Sequence, residues 1–428
     1  MALGRRTDKQ TELFVPVTQL PKSPAHPFYS RLNAVLAQAG FDAFVEQLCE
    51  PYYKEGGRPS IPPGTCFRRL FIGYFEGIDS QRGIAWRCAD SRSWRAFLGA
   101  DLTAATPAHN SMTVIRQRLP ENIFEGVFAH VLGVLSQKGL LKGKTLGIDA
   151  TTLEANAAMR SIVRKADGKD WKAFLRRLAK AEGIENPTDE ELRRIDRGRK
   201  DKKVSNEDGE SPHEAIVAAH VTHADRGDAQ TGPDTLIMAQ AHLVQSGSTA
   251  EVREVVEDKG YHDNAFLAWC VGWGLRTYIP QRKQKTRIWT DKPEEYQAAF
   301  RANRRRVRGD KGRRLNRWRS ERCERSFAHV CETGGGRRMW LRGVVNASKS
   351  HLMRCCAYNL GLLLRKRFGL AKPRSGAAVA GLLLVSSALI RAVTTNSPHT
   401  AMTVGIAASI ILLFPLMLTS ASQAQRLR

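Results

Sequence analysis

The chain has 428 residues, with 67 Lys plus Arg against 42 Asp plus Glu and a formal charge of +25. That length rules out a single minimal domain and allows two or three domains around a sizeable core. The basic excess points away from cationic ligands and toward a polyanionic partner, most simply nucleic acid. Eight cysteines are scattered without a CxxC pair or zinc-finger spacing, so neither a disulfide framework nor a zinc module is expected. Free thiols fit a reducing cytoplasm. The opening MALGRRTDKQTELFVP is polar, with no apolar signal core, so secretion is not expected.

Residues 1–30 read as an irregular lead-in. From 31 to 140, helical patterns alternate with Gly/Pro breaks. FDAFVEQLCEPYY is amphipathic and stops at Pro51, and IPPGTCFRRLFIGYFEG opens on prolines that suit a first helical turn. SRSWRAFLG and TPAHNSMTVIRQRLP predict further short helices, the second beginning near His109 and Ser111 and carrying Arg116 and Arg118. This is an all-helical N-terminal domain over about 1–140. Helix-turn-helix DNA binding and a plain helical bundle with surface arginines both fit it. ENIFEGVFAHVLGVLSQKGLL, 121–141, is a strongly periodic amphipathic helix.

After a glycine turn comes KTLGIDATTLE, a short apolar strand that ends on Asp149. Residues 160–210 are highly charged and read as a solvated helical insertion, with NPTDEELRR supplying a helix start; a charged linker is the alternative. EAIVAAHVTHA, VREVVEDKGYHD and LRTYIPQRKQK predict strands, with helices between them. That alternation argues for an α/β layer over about 141–370. Residues 301–325 hold twelve Arg or Lys against three acids, a phosphate-backbone track in prospect. Two strongly apolar stretches, 376–390 and 402–420, fall in a tail from 371 to 428. A membrane hairpin is one reading of them.

Asp149 and Asp258 end two predicted strands, where sites gather in α/β sheets. Glu321 and Glu324 lie in RSERCERSFAH, on a predicted helix. Carboxylates brought together repel one another unless cations neutralise them. Oxygen ligands suit Mg²⁺ or Mn²⁺, and a pair of such ions promotes phosphodiester chemistry. Asp149 and Asp258 also fit simple turn roles, and the two glutamates fit ion pairs on a solvated helix. His213, His220, His223 and His262 read as core or surface residues.

KTLGIDATTLEANAAMRSI, then VVEDKGYHD, then ERSFAHVCETGGGRRMWLRG, taken in that order, resemble bacterial insertion-sequence transposases of the DDE class. More narrowly they resemble the insertion-sequence-five type grouping. The similarity runs from about residue 20 to about 370. It implies an RNase H-like catalytic fold, a mixed sheet with flanking helices, behind the helical DNA-binding domain. It implies two Mg²⁺ (or Mn²⁺) ions held by Asp149, Asp258 and Glu324, with Glu321 as the runner-up. Glu321 has an arginine four residues earlier (Arg317), as the family places it, whereas the ERSFAH context favours Glu324. Lys259, Tyr261, Arg319, Arg322 and Arg325 are implied as phosphate or end-DNA contacts, and Arg304, Arg305 and Arg306 extend the basic track. The partners implied are terminal-repeat and target DNA, met as a homodimer in the cytoplasm, at the nucleoid.

Two departures stand out. SNEDGESPHEAIVAAH runs straight on where relatives carry more chain, which predicts the loss of a hairpin that would pair beside the first strand. The apolar tail has no counterpart in the family pattern. The rival expectations are therefore a DNA-binding remnant without activity and a membrane-tethered nucleic-acid-binding protein.

Overall fold

The computed structural model describes residues 26–54, 56, 60–101, 104–155, 187–188, 190–191, 203–210, 214–223, 226–281, 288–336, 338–339 and 341–373; for 151–155, 203–210, 324, 327, 332, 333 and 338 it describes the backbone alone. The chain divides into two units, Met1–Phe368 and Gly369–Arg428. All but a few described residues belong to the first. The apolar stretches 376–390 and 402–420 lie outside the described residues. Among the described residues, no helix is long and apolar enough to cross a membrane.

Among the described residues, seven α-helices precede the first strand: α1 (Pro27–Gln38), α2 (Phe41–Cys49), α3 (Pro63–Glu76), α4 (Gln81–Asp90), α5 (Arg92–Phe97), α6 (His109–Arg118) and α7 (Glu121–Gln137). Local chemistry starts them. Prolines open α1 and α3, where a missing N–H costs nothing. Ser80 and Ser91 cap α4 and α5, accepting from Gly83 N at 3.0 Å and Trp94 N at 3.4 Å. Their apolar stripes meet in a phenylalanine-rich core that includes Phe41, Phe67, Phe71, Phe75 and Phe128. Arg68 is buried within this bundle. It binds Asp42 through two nitrogens, at 2.9 and 2.7 Å, Asn33 at 2.8 Å and the Phe97 carbonyl at 3.1 Å. One guanidinium thus ties α1, α2, α3 and α5 together.

The sheet contains β1 (Thr145–Ala155), β2 (Lys203–Glu210), β3 (Ile216–His223), β4 (Glu254–Val256), β5 (Arg276–Tyr278) and β6 (Arg338–Met339). Its order is β3-β2-β1-β4-β5, with β6 pairing with β1. β1, β4, β5 and β6 are parallel where they pair, and β2 is antiparallel to both its neighbours. The remaining helices are α8 (Asp228–Gln245), α9 (Asn264–Gly272), α10 (Glu294–Arg308), α11 (Asp310–Phe327) and α12 (Val344–Phe368). α8 and α12 pack on β3, α10 on β5, and α11 on β1.

β2 overturns one expectation and corrects another. No pairing strand is missing beside β1: β2 pairs with it from Gly147 to Glu154, and β3 pairs with β2 in turn. The predicted helical insertion therefore ends before 203. Residues 156–186 and 192–202 lie outside the described residues. KVSNEDGE carries almost no apolar alternation, so its strand state comes from pairing with β1 and not from its own pattern.

The edge strands are closed by helices. Asn303 of α10 accepts from Ile279 N at 3.1 Å and donates to Ile279 O at 2.8 Å, just past β5. Asn359 of α12 accepts from Ile216 N at 3.0 Å and donates to Ile216 O at 2.8 Å, at the start of β3. A single amide thus stands in for the neighbouring strand that an edge lacks.

α12 is buried along most of its length, and it packs against α3 and α7 as well as β3. The same helix is therefore a wall of both the helical core and the sheet.

Candidate active site

β1 and β4 lie side by side and parallel, with Gly147 opposite Val256. Asp149 and Asp258 each follow two residues after that pair, on neighbouring strands. Asp149 does not end its strand as expected, because pairing with β2 carries β1 on to Ala155, whereas Asp258 lies just past the end of β4. Beyond β4 the chain turns into a 3₁₀ turn, Lys259–Tyr261, and Asp258 caps it by accepting from Gly260 N at 2.5 Å. A Cβ at Gly260 would crowd a carboxylate oxygen of Asp228 and stand 2.7 Å from one of Asp258, so both carboxylates close over this turn. Asp228, the first residue of α8, therefore reaches the same turn. Its carboxylate belongs to no sequence motif that marks a site.

α11 lies over β1, and the close approach depends on Gly147. A Cβ at that position would meet Cys323 Sγ at 2.8 Å and the Trp318 ring at 2.8 Å. Seated this way, α11 brings Arg319 to Asp149. A guanidinium nitrogen donates to the carboxylate at 2.9 Å, in a half-buried pair. One turn on, Arg322 pairs with Glu214, which also faces Arg365 at 3.7 Å and Lys366 at 3.5 Å. Glu214 holds a left-handed backbone, φ +69°. Three cations around one carboxylate hold a conformation that a side chain rarely adopts.

Of the two candidate glutamates, Glu321 is exposed, and Glu324 follows the Cys323 that packs on Gly147. The side chain of Glu324 lies outside what the structure describes. Among the described residues, no three His, Cys, Asp or Glu side chains converge as a metal cluster. The basic residues fall into three groups. Lys259, Arg304, Arg305 and Arg325 are exposed. Arg319 and Arg322 are engaged in the ion pairs above. Arg306 turns inward, donating to the Thr277 carbonyl and hydroxyl at 3.0 Å each. Tyr261 is 1% exposed and packs near Phe266, so its ring offers no surface to a nucleic acid.

Below the aspartates, Glu254 is 1% exposed and accepts from Thr145 at 2.9 Å and from Lys311 of α11. Burial pushes its carboxyl up, but the hydrogen bonds from Lys311 and Thr145 and the charges of Lys311 and Lys144 outweigh this, so it sits below the ordinary carboxylate value. All eight cysteines are buried free thiols. Burial pushes the Cys66 thiol up to about 12, which leaves it unreactive.

Two family models match the chain. One, described as Transposase domain (DUF772), covers residues 18–118. The other, described as Transposase DDE domain, covers residues 269–364. Both descriptions are of transposases, and together they support an insertion-sequence DDE transposase. No curated protein and no solved structure matches it. The first match spans α1 to α6. The second spans α9 to α12, with Arg319, Glu321 and Glu324 inside it. Asp149 and Asp258 fall between the two. A transposase acts on DNA, and DDE transposases generally use divalent metal ions. The side chains on these neighbouring strands suit such an ion: Asp149 and Asp258 are hard oxygen donors, and Asp149 already draws a cation, the Arg319 guanidinium.

Proposed function

We propose that this transposase cuts DNA at the ends of its own element and joins the freed 3′ ends to target DNA, with Asp149, Asp258 and Glu324 as the metal-holding carboxylates. The observation that carries this is the placement of Asp149 and Asp258, two residues beyond a paired Gly147–Val256 on adjacent parallel strands. The strand order β3-β2-β1-β4-β5, with β2 antiparallel, supports an RNase H-like catalytic fold over about 141–370 behind a helical DNA-binding domain over about 1–140. Divalent ions bound there supply Lewis acidity that activates a water or a 3′-hydroxyl and stabilises the leaving oxygen. The chain's own part is positioning. α11 sets Arg319 beside the first aspartate, the Gly260 turn fixes the second, and exposed Lys259, Arg304, Arg305 and Arg325 offer charge to phosphates. The motif strings support the insertion-sequence-five type grouping. Two ends must be held together for transposition, which supports a homodimer on DNA, acting at the nucleoid in the cytoplasm.

The inactive-remnant reading rested on a hairpin missing beside β1, and β2 removes that ground. The test is cleavage of a labelled duplex bearing the element's terminal repeat, with Mg²⁺ or Mn²⁺. The expected result is cutting at the repeat end by the wild type and none by Asp149→Ala or Asp258→Ala. Binding without cutting by all three proteins would overturn the catalytic reading.

A further inference from the structure

α6 is held to the body by Met112 and Ile115, while Asn110, Val114 and Gln117 face solvent along one stripe at i, i+4 and i+7. α4 lies beside it. Arg82 meets His109 at 3.4 Å, and Thr113 donates to Gln81 at 2.8 Å. From that junction α4 exposes Arg82 and, one turn on, Trp86. Trp86 is 68% exposed and Val114 is 51% exposed. Neither large apolar side chain has a role inside the fold. Residues 81–118 carry six arginines against two aspartates, so the charge around the stripe complements a polyanion.

The side chains on the stripe match the edges of base pairs. Asparagine and glutamine amides pair with the N6 and N7 of adenine, and a small apolar side chain contacts the thymine methyl. Arginine and an exposed aromatic beside such a helix suit the flanking phosphates and sugars. A ten-residue helix with a free outer face fits the major groove of duplex DNA, with a second helix against the backbone.

We propose that α6 reads base sequence in the major groove through Asn110, Val114 and Gln117, with Arg82 and Trp86 of α4 seated on the adjoining backbone. The proposal rests on the transposase reading for DNA as partner and adds the surface that recognises it. It is distinct from the basic residues near the aspartates.

The test is selection from a random-sequence duplex library by the full chain in EDTA, followed by titration of the selected duplex. In EDTA the readout does not depend on catalysis, so loss of cleavage leaves it intact. The expected result is a defined motif for the wild type. Asn110→Ala and Gln117→Ala should each relax one or two positions, with about tenfold lost discrimination there. Arg82→Ala and Trp86→Ala should weaken all sequences alike, and Arg82→Ala should lower the salt slope by about one. Far-UV circular dichroism matching the wild type keeps these surface variants interpretable. An unchanged motif and affinity in Asn110→Ala and Gln117→Ala would overturn the proposal, with the catalytic reading untouched. Equal binding of all duplexes by the wild type would also overturn it.

Discussion

Asn303 and Asn359 make the same pair of hydrogen bonds at opposite edges of one sheet. Each spends its whole amide on the N–H and C=O of a single isoleucine, Ile279 beside β5 and Ile216 at β3. Both asparagines are almost completely buried, so no water can replace them. Asn303→Ala and Asn359→Ala should each cost about 2–4 kcal/mol, the penalty for two stranded backbone groups. Urea denaturation would measure it. A loss within 0.5 kcal/mol of zero, the scale of a neutral surface substitution, would mean that the edges are held by packing alone.

Gly147 sets the distance between β1 and α11. Gly147→Ala would place a methyl 2.8 Å from both Cys323 Sγ and the Trp318 ring. The helix must then lift or the ring must turn, at about 1–3 kcal/mol. A thermal melt should fall accordingly. Because the lift would draw Arg319 off Asp149, end cleavage should drop further than stability does. Equal Tm values for the two proteins would show that α11 sits less firmly than described.

Glu254 makes stability depend on acid. Its folded carboxyl lies below the ordinary value, so the folded state binds fewer protons than the unfolded state as pH falls. The contribution is fully present above the ordinary carboxylate range and is lost as pH drops through the folded value. His242, pushed down by burial and bonded to the Val217 carbonyl at 3.0 Å, acts in the same direction from the ordinary histidine value downward. Lys311→Met removes a hydrogen bond to a buried charge, worth about 1.5–3 kcal/mol at neutral pH. It should also flatten the acid limb of the stability curve, because Glu254 is no longer held down as far and the variant's deficit shrinks as pH falls. Chemical denaturation from pH 4 to pH 8 reads both effects, and superimposable curves would refute them.

Arg319 occupies the carboxylate of Asp149 with a cation of its own. Arg319→Ala should leave that aspartate open to a competing divalent ion. A Mn²⁺ titration followed by Tm should then saturate at a severalfold lower concentration than for wild type. An unchanged midpoint would mean that the guanidinium and the ion do not share the carboxylate.

Much of the site was legible in sequence. KTLGIDATTLE reads as a strand because its apolar run is β-like and bounded by a glycine turn, and Asp149 falls on β1. VVEDKGYHD gives both β4 and its turn, because Asp258 and Gly260 are turn chemistry. The α7 stripe was plain from its period. β2 was not legible, because Lys203–Glu210 is polar throughout and borrows its conformation from β1. Nor was the role of Gly147, which depends on a helix more than 160 residues away. The family resemblance implied Tyr261 as a DNA contact and the basic run suggested Arg306, but the fold turns both inward.

α12 is the last described helix of its unit, and both the phenylalanine core and β3 lean on it. Neither layer can be completed while residues 344–368 are still inside the ribosome. The two layers must therefore close late and together during synthesis. A basic chain of this kind leaves the ribosome with its arginines exposed and its core unfinished. The folded protein becomes available to DNA only once residues 344–368 have left the ribosome.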